Sequence, residues 1–253
     1  MSEIKPLVYV ILGAAGSGRR EVVADLIEGG VDASENVAVL LAANEVDDPA
    51  DAQLQNCSRW HQTEDNAIAA DWPAGATVVF FVMDGRASPV DQVEMLKPWV
   101  TSHGAEVGRV ITVMHCGLAA SNSRVVAWYD ACVHFSDIVL LNRREGVENK
   151  WFSELKARYH KLCLPCLVEM VKKGRVHNPA LVLDSTVRRL SHWFDEDEQN
   201  DWTALIAEDS DTVIEDDADD DPDDMPDDED IYLARHPSGR RMKEVPDIAK
   251  LLD

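Results

Sequence analysis

A run of small and basic residues near the start of the chain has the types and spacing to hold an anion. The run consists of Gly13, Ala14, Ala15, Gly16, Ser17, Gly18, Arg19 and Arg20. An apolar, partly β-branched stretch precedes it at 6–12, and apolar residues at helical spacing follow it at 20–28. Small residues between a strand and a helix let successive backbone N–H groups and the helix N-terminus surround a phosphate. The alternative is a glycine-rich turn that serves only close packing.

The glycine spacing of this run fits Gly-x-x-x-x-Gly-Lys-[Ser/Thr], but its last two positions differ from that pattern. Arg19 stands where a lysine would reach the phosphates, and its guanidinium is cationic but forked. Arg20 stands where a hydroxyl would ligate Mg²⁺, and a guanidinium cannot ligate a cation. We therefore expect anion binding to persist, Mg²⁺ binding to be weak, and metal-assisted hydrolysis to be weak or absent.

Further short segments follow this loop in a fixed order. They are Asn44-Glu45 with Asp51-Ala52-Gln53-Leu54, then Asp84 to Val90, Ser136 to Glu145, and Asn178-Pro179-Ala180. They resemble, in that order, motifs of the CobW/HypB/UreG type of P-loop GTPase. Those motifs are Asn-Glu-Phe-Gly with Asp-x-x-Leu, the Ser-Gly-Leu-Ala-Asp-Pro turn after the Walker B strand, the Ala-Asp-x-x-x-x-Asn-Lys-x-Asp guanine segment, and Asn-Pro-x-Ala. The resemblance covers roughly residues 6–185 and rests on order and context.

The resemblance implies that the ligand is a guanine nucleotide, GTP or GDP, and the alternative is ATP. The phosphates would lie on residues 13–20, and the base would face Asn142, Arg143 and Glu145. Arg143 replaces the lysine of the guanine segment, and Glu145 replaces its aspartate. Asp84 is the local carboxylate that could hold Mg²⁺ or its water. The alternative role for both Asn142 and Asp84 is that of a turn residue.

No transition metal is expected. The Cys-x-Cys-Cys cluster of the resembled family is reduced here to Cys57 and His61, too few ligands for a tetrahedral site. His160, Cys163 and Cys166 follow one another at intervals of three, which would place them on one helix face. We interpret these cysteines as small core residues in preference to a soft-metal or redox site.

The order of predicted elements indicates the fold class. Buried strands are predicted at 37–42, 77–83, 109–115 and 137–141, with helices at 89–99 and 123–135 between them. Further helices are predicted across most of 150–173, with a break at Pro165, and at 186–194. This alternation predicts an α/β fold, a P-loop NTPase-like, doubly wound and mainly parallel sheet with helices on both faces.

Charge divides the 253-residue chain into three parts. It has 24 basic and 47 acidic residues, a net charge of −23, and 20 of the acidic residues lie between 195 and 230. This balance disfavours nucleic acid and membrane surfaces as partners. We predict a nucleotide-binding domain at 1–194, an acidic disordered linker at 195–230 and a short docking segment at 231–253. The odd number of cysteines and the absence of a signal peptide predict a cytoplasmic protein.

Two functions of different classes remain open. The first is a degenerate GTP- or GDP-binding protein, at most a weak GTPase, with a regulatory or chaperone-like role. The second is a non-catalytic interaction protein that keeps the fold without the ligand and binds an unidentified protein partner through its acidic tail or C-terminal segment. In either case the tail could reach back to the arginines as a phosphate mimic. Metal delivery, as in the resembled family, is disfavoured by the missing thiolates.

Overall fold

The first apolar stretch forms the central strand of a single sheet. The structure is a computed structural model that describes residues 5–195 and 230–252. Its strands are β1 (Leu7–Leu12), β2 (Val37–Ala42), β3 (Cys57–Gln62), β4 (Ile68–Ala69), β5 (Val78–Val82), β6 (Glu106–His115), β7 (Ile138–Asn142) and β8 (Leu167–Met170). Their order across the sheet is β4-β3-β2-β5-β1-β6-β7-β8, and only the β3–β4 pair is antiparallel.

Helices cover both faces of this sheet. They are α1 (Arg19–Gly30), α2 (Pro89–Ser102), α3 (Cys116–Ser121), α4 (Ser123–His134), α5 (Asn149–Lys161) and α6 (Pro179–Val182), with 3-10 helices at Pro49–Gln53 and Ile248–Leu251. On β1, Val8 and Val10 pack in the core that contains α2, α4 and α5, whereas Tyr9 and Ile11 pack in the core that contains α1 and α6. Apolar residues on both faces are what a parallel sheet between two helix layers requires. The predicted fold class is therefore confirmed.

The strand order places the loop after β1 at the switch point of the sheet. From β1 the chain passes through α1 to β2 on one side, whereas β6 and β7 lie on the other side. In open α/β sheets, ligands bind outside the carboxyl ends of the strands at the point where the connections diverge. The fold therefore positions the glycine loop where a ligand site is expected.

The chain between α5 and β8 differs from the predicted long helix. Helix α5 ends at Lys161, and Cys163 then adopts a left-handed φ of 52° before the strand β8. Pro165 follows, and a proline disfavours helix geometry at the residue before it. Cys163 and Cys166 therefore do not continue the helix face on which His160 lies, and the prediction that the three share one face is wrong.

The helix predicted at 186–194 is also absent, and the structure shows why. This segment is irregular, and one of its backbone N–H groups and one of its arginine side chains bond to a buried carboxylate from another part of the chain. The Asp137 side chain is fully buried and accepts the backbone N–H of Arg188 at 2.6 Å and Nη1 of Arg189 at 3.0 Å. Asp137 thereby holds residues 186–194 against the start of β7.

The described C-terminal residues, 230–252, pack against the helix layer on the α2 and α4 face. Tyr232 and Ile248 are buried in that core. Arg241 lies within 2.6–2.7 Å of the carboxylates of Asp91 and Glu94 on α2. The predicted acidic linker falls almost wholly on residues 196–229, which lie outside the described residues.

The buried Asp137–Arg189 pair gives a stability prediction. Asp137→Asn removes the charge facing a guanidinium that is 2 % exposed, so we expect a loss of about 3–5 kcal/mol in unfolding free energy, measured by urea denaturation. Asp195→Asn is the control, because Asp195 pairs with the same guanidinium but is 27 % exposed. Equal losses in the two variants would contradict this assignment.

Candidate phosphate-binding site

The glycine loop has a backbone geometry that favours glycine at three positions. Gly13, Gly16 and Gly18 have φ values of 139°, 77° and 84°. Such positive angles carry little penalty for glycine and a steric penalty for other residues. A Cβ on Gly13 would also lie 2.3 Å from the carbonyl oxygen of Val113. Close packing against β6 therefore accounts for Gly13, whereas nothing lies within 4 Å of a Cβ on Gly16.

The N-terminus of α1 has no side-chain cap. Gly18 is the N-cap residue in a left-handed conformation and offers no capping atom. By contrast, α2 and α4 are capped by the side chains of Ser88 and Asn122. The first N–H groups of a helix have no acceptor within the helix, and they carry partial positive charge. The N–H groups of Gly18, Arg19 and Arg20 are therefore suited to an anion.

Three backbone N–H groups that precede this helix end have partners within the protein. The N–H of Ala14 donates to Tyr129 Oη at 3.3 Å, and the N–H of Ala15 donates to the Gly85 carbonyl at 3.0 Å. The N–H of Ser17 donates back to the Ala14 carbonyl at 3.1 Å. These bonds fix the shape of the loop ahead of α1.

Arg19 and Arg20 are buried and ion-paired, with side chains only 4 % and 7 % exposed. Arg19 donates to the Met83 carbonyl and to Glu45. Arg20 donates to Glu45 at 3.0 Å and to Asp51 at 3.0 Å. Both guanidinium groups, which were predicted to face phosphates, thus have protein carboxylates as partners in this structure.

Glu45 is the centre of this network. Its carboxylate also accepts the N–H of Gly85 at 2.9 Å, on the turn that follows β5. Burial alone would raise the pKa of Glu45. The nearby Arg19 charge and the hydrogen bond from the Gly85 N–H outweigh this effect, so the pKa lies below its ordinary value. The carboxylate is therefore ionised at neutral pH and balances the buried arginines.

A cavity of about 340 Å³ opens between the loop and the segment after β2. This volume is within the usual range for small-molecule sites. The charged residues in its wall balance in sign, four basic and four acidic. They are Arg19, Arg20, Arg86, Arg143, Glu21, Glu45, Asp47 and Asp48. The wall also contains Gly16 and Gly18, so the cavity reaches the uncapped helix end.

Two of the three predicted base-binding residues contact the loop. Asn142 Nδ2 donates to the Ser17 carbonyl at 2.8 Å, and Arg143 Nε donates to the Gly16 carbonyl at 3.3 Å. The end of β7 is thereby tied to the glycine loop. Glu145 is exposed and lines a different cavity, of about 510 Å³, together with Gly117.

Asp84 closes a turn in the structure. Its Oδ1 accepts the N–H of Arg86 at 2.8 Å, and its carboxylate does not line the 340 Å³ cavity. Within residues 5–195 and 230–252, no group of three or more His, Cys, Asp or Glu residues could hold a metal ion. In the same ranges no helix has the length and apolar character needed to cross a bilayer.

Two cysteine thiols near the sheet have raised pKa values. Burial raises the pKa of Cys116 to about 12 and that of Cys166 to about 11. Thiols of this kind stay protonated at neutral pH and are poor nucleophiles. Cysteine chemistry is therefore not supported at either position.

Sequence reasoning missed the partners of the arginines. Glu45 and Asp51 stand in the quoted motifs, but their contacts with Arg19 and Arg20 were not foreseen. The available signal was electrostatic, since two adjacent arginines entering a buried helix turn require buried carboxylates as partners. Tyr129 and Gly85, which fix the loop, gave no such signal.

The glycine geometry predicts unequal costs for two matched substitutions. Gly13→Ala combines a positive φ with a collision against the Val113 carbonyl, whereas Gly16→Ala has the positive φ alone. We expect Gly16→Ala to cost about 1–2 kcal/mol and Gly13→Ala to cost clearly more, as measured by thermal or urea unfolding. A Gly13→Ala protein as stable as Gly16→Ala would contradict the described loop.

The lowered pKa of Glu45 predicts a pH dependence of stability. Its contribution is fully present above its ordinary pKa of 4.5 and is lost as the pH falls through the lower folded value. The stability difference between the native protein and Glu45→Gln should therefore shrink on acidification from pH 6 to pH 3. Unfolding curves at each pH measure this, and a constant difference would be inconsistent with an ionised Glu45.

Comparison with known proteins finds similar solved structures at low sequence identity. No family model and no curated protein match the chain. The Zn(II)-bound YjiA GTPase from E. coli has 14 % identity, with 73 % of this chain and 66 % of that chain covered, and a TM-score of 0.42. The cell division protein FtsY from Thermotoga maritima has 17 % identity, with 74 % and 69 % covered, and a TM-score of 0.42. The chain thus spans just under two thirds of the YjiA structure, and the fold assignment rests on its own sheet.

Proposed function

We propose that this protein binds a nucleotide through its phosphates at the N-terminus of α1, without efficient metal-assisted hydrolysis. The observation that carries the proposal is the uncapped helix end at Gly18, which opens onto a cavity of about 340 Å³. Backbone N–H groups at such an end bind phosphate without a lysine or a metal ion. The site lies at the switch point of the sheet, where ligands bind in this architecture.

We propose that the nucleotide is GTP or GDP. The support is a pair of hydrogen bonds from Asn142 and Arg143 to the loop carbonyls. These bonds hold the segment that resembles the guanine-recognition motif beside the candidate phosphate site. Asn142 is only 4 % exposed, so its amide is held in one orientation beside the loop. Glu145 would have to approach from the neighbouring cavity to contact a base.

The chemistry of the site favours binding over turnover. Arg20 occupies the helix position of the metal-ligating hydroxyl, and its guanidinium is bound to Glu45 and Asp51. Phosphoryl transfer depends on positive charge aimed at the transferring group. Arg19 could supply that charge only by leaving Glu45, so we expect slow hydrolysis at most.

A second function has support from a different observation. Arg19 and Arg20 are buried with carboxylate partners, so contacts within the protein hold the loop together. A non-catalytic interaction protein that keeps the fold would have this property. Its acidic tail, the proposed surface for a protein partner, lies outside the described residues.

A nucleotide titration separates the two functions. Calorimetry with GDP, GTP and ATP, each in EDTA and in Mg²⁺, should show guanine-nucleotide binding that changes little when the metal is removed. Gly18→Ala should abolish it, because its Cβ would lie 2.5 Å from Asn142 Nδ2 at a φ of 84°. Gly104→Ala is the matched control, since Gly104 has a φ of 63° with nothing within 4 Å.

Two results of this titration would contradict nucleotide binding at the helix end. Absence of binding by the native protein at millimolar nucleotide would exclude the first function and leave the interaction protein. Binding that requires Mg²⁺ would contradict the role given to the helix N–H groups.

A further inference from the structure

The acidic side chain at the centre of the site occupies groups that a phosphate would use. Glu45 binds Nη2 of Arg19, Nη2 of Arg20 and the N–H of Gly85, and its side chain is only 9 % exposed. These donors come from α1 and from the turn after β5. An anion held by two guanidinium groups and a backbone N–H has the ligand set of a bound phosphate.

We propose that the Glu45 carboxylate is an internal competitor of the ligand, which the terminal phosphate displaces from Arg19 and Arg20. This inference rests on the proposed function and adds the regulation of the same site. Carboxylate and phosphate oxygens make the same forked contacts with a guanidinium. Glu45 occupies Nη2 of both arginines, while Nη1 of Arg19 donates to the Met83 carbonyl and Nη1 of Arg20 donates to Asp51. A phosphate therefore reaches these guanidinium groups by taking the place of Glu45.

Displacement of Glu45 couples the ligand to the segment that follows β2. Arg59 Nη1 donates to the Ala42 carbonyl at 3.1 Å and to the Glu45 carbonyl at 3.3 Å, and Arg59 Nη2 lies 2.8 Å from Asp47. Between these anchors, Val46 is 85 % exposed. When Glu45 leaves the arginines, its side chain must turn away from the loop, and residues 44–47 must rearrange.

This coupling gives the competitor a specificity role. A diphosphate that reaches only the helix N–H groups leaves Glu45 in place, whereas a further phosphate meets the arginines and removes it. The segment 44–47 therefore reports the length of the phosphate chain. Arg19 serves as the positioning residue for that last phosphate.

The test compares Glu45→Gln with the native full-length protein. The substitution keeps the shape and removes the competing charge, so GTP affinity should rise at least about tenfold, while GDP affinity changes little. The melting temperature of the ligand-free variant should fall, because two buried guanidinium groups lose their shared carboxylate. Affinity and stability thus move in opposite directions, which a merely structural Glu45 would not produce.

Asp25→Asn is the matched control. Asp25 has the same 9 % side-chain exposure, accepts the N–H of Val176 at 2.8 Å and lies 3.8 Å from Arg175, away from the cavity wall. We expect this variant to lose stability with no change in affinity for either nucleotide. An equal rise in GTP affinity in both variants would overturn the competitor role.

A measurement on the native protein covers the case in which Glu45→Gln does not fold. Amide hydrogen exchange should become faster at Gly85 and at residues 44–47 when GTP is added, and not when GDP is added. Unchanged or slower exchange with GTP bound would overturn the inference and leave nucleotide binding intact. Failure of the native protein to bind any nucleotide would overturn both proposals.

Discussion

The structure around the glycine loop depends on one shared carboxylate. Glu45 lies between the buried guanidinium groups of Arg19 and Arg20 and is a carboxylate partner of both, and a buried unpaired charge costs several kcal/mol. By accepting the N–H of Gly85 as well, it joins α1, the segment after β2 and the turn after β5. The geometry of the candidate site is therefore set by charge balance as much as by glycine.

This charge balance gives the two arginines a structural role. Arg19 and Arg20 stand where the Gly-x-x-x-x-Gly-Lys-[Ser/Thr] pattern has a lysine and a hydroxyl-bearing residue. Their guanidinium groups are paired with the carboxylates of Glu45 and Asp51. The N–H groups at the start of α1 take no part in these ion pairs, and the binding that we propose for them needs neither metal nor lysine.

The sequence pattern predicts the strands that are buried on both faces. It does not predict an exposed strand, and it predicts a helix where a distant side chain bonds to the backbone instead. The strands β1, β2, β5 and β7 are apolar along almost their whole length between helix layers, and β6 is apolar from Val110 to Met114 except at Thr112. The strand β3 escaped prediction because only Trp60 among its residues is buried. The pattern of residues 186–194 predicts an amphipathic helix, but the backbone N–H of Arg188 donates to the side chain of Asp137, about fifty residues earlier. Contacts of that kind are tertiary, and no local pattern encodes them.

The central claim is that a nucleotide's phosphates bind the N–H groups at the start of α1 without a metal ion. A ¹H–¹⁵N NMR titration of the native protein with GDP in EDTA tests this most directly, because it observes those groups individually. The account predicts saturable shifts that are largest for the amides of Gly18, Arg19 and Arg20. Amides that do not move at millimolar GDP, or shifts confined to other parts of the sheet edge, would contradict it.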